Sequence, residues 1–295
     1  MRKISSLFLG LSLAVSGISI AAAQDQTPTT MKPPKYLQIT VEYTKPGKGG
    51  MAHDKTESAF VQAMTKAKFP ITYFAFNSMT GKPRTIYISG FDSFSELGKA
   101  NKIYDAPGLA ASFESLNVAD GELLDDSKTI IFSHVADISL SPGPDLLHMR
   151  CLEAEIVHVR QGHGKEFHEL AKMWVNLWQK AGTSAQWDAF ETEYGQDGGY
   201  LIFLTAHKSL DDVDTGFADN DKVQGTLTDD EKKKMRELRA AAIDEDRTEL
   251  YTVNAAQSYP PDSFLKADPG FWKPKSGAAA KPAAKPATDD KKAKP

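Results

Sequence analysis

Cysteine is almost missing from this chain. Cys151 is the only one in 295 residues, so no internal disulfide can staple the fold and stability must come from packed cores. No basic partner for the thiol is legible nearby, and Cys151 reads as a small buried hydrophobe rather than a nucleophile. Short catalytic signatures are absent too. There is no G-x-S-x-G, H-E-x-x-H, P-loop or paired-cysteine pattern, and no nucleophile with a recognisable base. The question of an enzyme therefore stays open, leaning to none. A basic excess is also lacking: 35 Lys and Arg stand against 39 Asp and Glu. Seven of the lysines fall in the segment from Lys273 onward, so the rest of the chain is acidic, which argues against nucleic acid as a partner.

Long apolar runs are confined to the first residues. Met1-Arg2-Lys3, an apolar stretch centred on LFLGLSLAV and the small residues Ala21 to Ala23 make a secretory signal over residues 1–23, cleaved before Gln24. The expected location is extracytoplasmic, periplasmic or secreted, with no transmembrane segment after cleavage. Residues 24–35 (QDQTPTTMKPPK) form a Pro- and Thr-rich linker. At the other end, residues 273–295 are a low-complexity Ala, Lys and Pro tail with nothing to bury, expected to be disordered and able at most to touch anionic envelope polymers.

Between these ends the chain repeats itself. LQITVEYTKPGKG, MAHDKTESAFVQAMTKAK and FPITYFAFNSMTG have the same order of strand, turn, helix and strand as EAEIVHVRQGHG, KEFHELAKMWVNLWQKAG and SAQWDAFETEYG, displaced by about 115 residues. IIFSHVADISL lies over ELYTVNAAQSY, with Ser139 over Ser258. Each copy reads βαββαβ: alternating strands, an apolar helix stripe (Phe167, Leu170, Ala171, Trp174, Leu177, Trp178 and Ala181 in the second copy), and helix starts at Ser93-x-x-Glu96, Ser209-x-x-Asp212 and Thr228-x-x-Glu231. The division is repeat 1 over 36–140, a linker over 141–150, repeat 2 over 151–262 and an extension over 263–272, whose Phe264, Phe271 and Trp272 are placed to strap onto a core.

Two tandem βαββαβ units resemble the dimeric α+β barrel superfamily, with its antibiotic-biosynthesis monooxygenase, NIPSNAP and EthD-like members. The resemblance implies an α+β fold in which two ferredoxin-like repeats form an intramolecular barrel, with a ligand or active site between facing sheets. It carries over no catalytic residue, because no family motif is legible.

Strand parity supplies the candidate site. If Leu37, Ile39, Val41 and Tyr43 cover the helix stripe, Glu42 points to the other side, and by alignment so do Glu153 and Glu155. These carboxylates, with Tyr73 and its counterpart Trp187, are the expected ligand-binding residues in the space between the sheets. Histidines 158, 163 and 168 invite a metal, but 153 and 155 face away from 158, and His53 over His168 reads as a structural pair bonding the turn. The glycines of Gly47-x-Gly49 and Gly162-x-Gly164 read as turn formers, not as a phosphate cradle. No metal and no cofactor are expected. The best functional expectation is an exported small-molecule-binding module. The alternatives are an enzyme resembling the cofactor-independent monooxygenases, acting on an aromatic or quinol substrate, and a structural cell-envelope protein.

Overall fold

The computed structural model describes residues 32–140 and 145–273. The signal and tail expectations therefore lie outside the described residues, as do parts of both linkers. The first repeat runs β1 (Tyr36–Thr44), α1 (Met51–Ala67), β2 (Tyr73–Ser78), β3 (Arg84–Phe91), α2 (Phe94–Tyr104), α3 (Pro107–Gly121) and β4 (Leu124–His134). The second runs β5 (Cys151–Val159), α4 (Gly164–Ala181), β6 (Asp188–Tyr194), β7 (Tyr200–His207), α5 (Leu210–Gly225), α6 (Asp229–Ala242) and β8 (Ile243–Val253). Two short helices, α7 (Asp262–Ala267) and α8 (Pro269–Trp272), follow.

Every strand pairing is antiparallel, and the eight strands close in the order β1-β3-β2-β8-β5-β7-β6-β4. Each repeat contributes a four-stranded ferredoxin-like sheet. Closure leaves no free edge. The halves join along two seams, β2 with β8 and β4 with β6. At the second seam Gly195 has φ +93° and lies against the Thr129 backbone, where a Cβ would collide with the carbonyl oxygen.

Inside the barrel the parity expectation fails. Leu37, Ile39 and Val41 share one core with Leu152, Ala154, Phe190, Ile202 and Leu204 of the other repeat. They face the opposite sheet rather than the helices, and the carboxylates face outward beneath the helices. The physical reason is closure, since both inner walls of a dry barrel must be apolar. The helix stripe of the first repeat is also weak: Phe60, Ala63, Met64 and Ala67 are half-buried, whereas the buried residues of α1 are His53 and Glu57. The second repeat packs as its sequence suggests, with Phe167 and Ala171 of α4 against Val157, Val159, Ala189 and Leu201.

The remaining interior is filled by chain outside the two units. Leu147 and Met149, in the stretch read as a linker, join the core together with Phe264 and Trp272, which are 1% and 2% exposed. Trp272 donates its Nε1–H to the Leu147 carbonyl at 2.9 Å, and Arg150 pairs with Asp268 at 2.5 Å. The space expected to hold a ligand is thus occupied by the protein's own C-terminal segment.

The duplication extends to single hydrogen bonds. Ser139 Oγ donates to the Val135 carbonyl and accepts from the Ala189 N–H, both at 2.9 Å. Ser258 Oγ donates to the Asn254 carbonyl at 2.8 Å and accepts from the Ala75 N–H at 2.9 Å. Each serine ties the turn after its repeat's last strand to the second strand of the other repeat. Replacing Ser139 with alanine orphans a buried N–H, and a loss of about 1–3 kcal/mol in chemical denaturation is expected. A change within experimental error would show that water or a shifted carbonyl takes its place.

Candidate functional site

Beneath the helices of the first repeat the chain gathers charge. Glu42 stands on the helix-facing side of β1. After Pro46-Gly47 the chain turns into α1, which brings His53 into its first turn and Glu57 one turn later, four residues apart on the same helix face. Asp120 comes from the last turn of α3. His53 Nε2 lies 3.1 Å from Glu42 Oε2 and 3.6 Å from Asp120 Oδ1. One ligand atom from each of Glu42, His53, Glu57 and Asp120 falls within 4.8 Å of the others. Thr56 Oγ donates to Asp120 at 2.6 Å. Around this group, Tyr87 donates its O–H to Gln257 Oε1 at 3.2 Å, and Gln257 and Asn254 donate to Asp54 at 2.8 and 2.9 Å.

His53, Glu57 and Asp120 are 2%, 6% and 4% exposed. Among the described residues, no lysine or arginine pairs with any of the four. Three carboxylates therefore share one imidazole. Burial, then the neighbouring Glu42 and Asp120 charges, push the Glu57 carboxyl up to about 9. Burial and the Glu57 and Glu42 charges likewise raise the phenols of Tyr73 and Tyr87.

The second repeat shows what the fold itself requires at these places. Over Glu42, His53, Glu57 and Asp120 stand Val157, His168, Lys172 and Arg239. There the charges are matched: His168 and Lys172 lie 2.8 and 3.1 Å from Asp137, and Arg239 lies 2.5 Å from Asp246. Strand register sets Phe203 over Tyr87, and Trp187 lies over Tyr73. One scaffold thus carries half-exposed, charge-matched residues at His168, Lys172 and Arg239 in one half and a buried acidic group without a cation in the other.

Of the residues expected from the sequence, Glu42 and Tyr73 come together at this site, under the helices and not between the sheets. Glu153, Glu155 and Trp187 lie on the corresponding side of the second repeat. Glu153 is 3.7 Å from His207. Glu155 sits near Asp246 and Arg239, its carboxyl raised by burial and then by Asp246. Trp187 donates Nε1–H to the Ile138 carbonyl at 2.9 Å and meets Trp178 edge-on. His53 bonds Glu42 through its side chain rather than the turn. The sequence reading missed Glu57, Asp120 and Tyr87. The spacing His53-x-x-x-Glu57 was a signal, but Asp120 is distant in sequence and gave none.

Another cluster proves structural. Ser139 Oγ lies 3.1 Å from His134 Nε2, which is 3.7 Å from Asp188. The serine and the carboxylate approach the same ring nitrogen, and the hydroxyl is committed to backbone, so this is not a charge-relay arrangement. Two concave regions adjoin α4. One is a cavity of about 240 Å³ beside Arg160, Phe167 and His168; the other is an open groove of about 670 Å³ along the helix face at Lys165, His168 and Lys172.

This architecture is that of the dimeric α+β barrel, with both halves in one chain. No family model and no curated protein matches the sequence. Solved structures do resemble it. An anthrone oxidase-like protein shares 15% identity at a TM-score of 0.47, covering 77% of this chain and 94% of its own. A mutant chlorite dismutase from Candidatus Nitrospira defluvii shares 7% at 0.46, covering 81% and 98%. A heme-binding protein from Thermus thermophilus shares 10% at 0.41, covering 81% and 100%. At such identities the likeness is one of fold. The expectation of no metal and no cofactor is corrected at the site itself, where four metal-capable donors come together in the interior of this chain.

Proposed function

We propose that this protein is an exported ligand-binding α+β barrel whose site is the acidic cluster of the first repeat, in the layer between sheet and helices. One observation carries the reading. Glu42, His53, Glu57 and Asp120 form a buried, uncompensated group where the duplicate of the same scaffold has Val157, His168, Lys172 and Arg239. Burying carboxylates without a partner is costly, and the second repeat folds without them, so their presence is explained by a ligand. The signal-like residues 1–23 support export.

Heme does not fit this chain's described residues. The acidic cluster offers charge rather than an apolar slot, the cavity beside α4 is about 240 Å³, below the ~300 Å³ at which organic-ligand pockets begin, the larger groove along α4 is open and walled by one helix only, and the barrel interior is filled.

The test needs no knowledge of the ligand. Folding at pH 8 must protonate Glu57, whose carboxyl is pushed up to about 9, whereas Glu57→Gln keeps the side-chain volume and is neutral in both states, so ligand-free protein carrying it is expected to melt higher than wild type at pH 8, by about 1–3 kcal/mol of stability. Glu155→Gln, on the corresponding face of the second repeat, where Arg239 opposes the rise caused by burial, should show a smaller gain. If Glu57→Gln instead melts lower, the cluster is structural and the reading falls.

A further inference from the structure

Resting on that reading, we infer that the ligand is a divalent transition-metal ion, held by Glu42, His53, Glu57 and Asp120. Three features point to a cation rather than an organic molecule or an anion. The cluster is buried, with His53, Glu57 and Asp120 almost inaccessible, and His53 faces Glu42 and Asp120 across distances of 3.1 and 3.6 Å. Four ligands on a tetrahedral ion with bonds of about 2.0–2.2 Å are about 3.3–3.6 Å apart; the His53 pairs are near this separation, and with all four donors within 4.8 Å of one another the remaining pairs need close by about 1 Å at most. The charge has the right sign, since three carboxylates about one imidazole can take up a dication.

Hydrogen bonding offers the cluster few protons for its three carboxylates. His53 Nε2 lies within 4 Å of both Glu42 and Asp120, and a single ring nitrogen has at most one proton to donate. Glu57 is buried beside both carboxylates and near the Tyr87 phenol. That phenol has one proton and also faces Gln257 Oε1. An ion at the centre satisfies all four donors at once. Thr56, which donates to Asp120, then acts as an outer support that fixes the orientation of a ligating carboxylate.

The donor set narrows the ion. One borderline nitrogen with three hard oxygens suits Mn(II), Fe(II), Co(II) or Zn(II). Calcium prefers six to eight oxygens and magnesium retains several waters, so neither is favoured by a buried site that includes an imidazole. The counterpart positions in the second repeat hold one histidine, a valine and two cations, so the stoichiometry is one ion per chain.

The test uses the full chain, stripped with chelator and titrated with Mn(II), Zn(II) and, as a spectroscopic probe, Co(II). One equivalent is expected to bind, with visible Co(II) absorption from a low-symmetry nitrogen and oxygen site. Glu57→Gln and Asp120→Asn should each weaken binding at least tenfold, and His53→Ala should remove the nitrogen signature. Glu155→Gln should bind as wild type does. Where His53→Ala fails to fold, the two isosteric variants carry the test alone. Absence of binding, or one equivalent retained unweakened in Glu57→Gln and Asp120→Asn, overturns the inference. Because the melting comparison of metal-free Glu57→Gln is independent of any ion, a higher melting temperature without metal binding overturns the metal inference while the ligand-site reading stands.

Discussion

Trp272→Ala is expected to cost about 3–5 kcal/mol of unfolding free energy, the range for truncating a buried large aromatic side chain. Trp272 is buried in the barrel among rings from three segments: Phe74 at 5.4 Å, Phe264 at 5.6 Å and Phe271 at 4.9 Å between centroids. Its Nε1–H also reaches the Leu147 carbonyl, which alanine leaves without that donor. Collapse cannot repair the loss, because the surrounding walls are hydrogen-bonded strands of a closed sheet. Urea denaturation should show the midpoint falling with little change in slope. A loss below about 1 kcal/mol, outside the range for a buried ring, would mean that α7 and α8 merely rest on a core that is complete without them.

A second large effect is expected at the seam. Arg84 opens β3 in the first repeat, yet its guanidinium donates to Tyr251 Oη at 2.7 and 3.1 Å and pairs with Glu249, both on β8 of the second. A third contact reaches the Lys82 carbonyl at 2.7 Å. Burial alone would raise the Glu249 carboxyl, but Tyr251 and Arg84 hold it below its ordinary value. Removing the arginine strands a partly buried carboxylate, and breaking such a pair on one side costs about 3–5 kcal/mol. Arg84→Met should therefore lie at the low end of that range, since Arg247 also faces Glu249 at 3.2 Å. Adding Glu249→Gln should recover part of the loss. A double variant that is no better than the single would show that packing over Tyr43 and Tyr251, not charge, is what Arg84 provides.

The fold was largely legible because duplication doubled each signal. Ser139 over Ser258 carried the repeat past the last strand of each copy, and the alternation of Leu37 to Tyr43 identified a strand. Which face of that strand looks inward was not legible. Alternation gives two faces and no label, and the label came from closure, which depends on seams formed by residues about 60 to 180 positions apart, such as His134 with Phe190 and Phe76 with Val253. The site suffered from the same inversion. Glu42 and Tyr73 were picked out for the wrong side of the sheet, and Asp120 meets Glu42 only because α3 returns over β1. His53 and Glu57 were in view at helical spacing, but a half-polar stripe on a short amphipathic helix resembles an ordinary solvated edge until its partners are known.

The position of Trp272 at the end of the described chain also constrains when the protein can finish folding. A ribosome emits the first half-sheet complete with its apolar inner face more than a hundred residues before the ring that fills the barrel is made. At about 5–20 residues per second, that face waits several seconds for its cover. A nascent first repeat has two bare strand edges, β2 and β4, and a greasy wall, the combination most prone to pairing with a neighbouring copy. Removing α7 and α8 should therefore show itself first as poor yield rather than as altered binding.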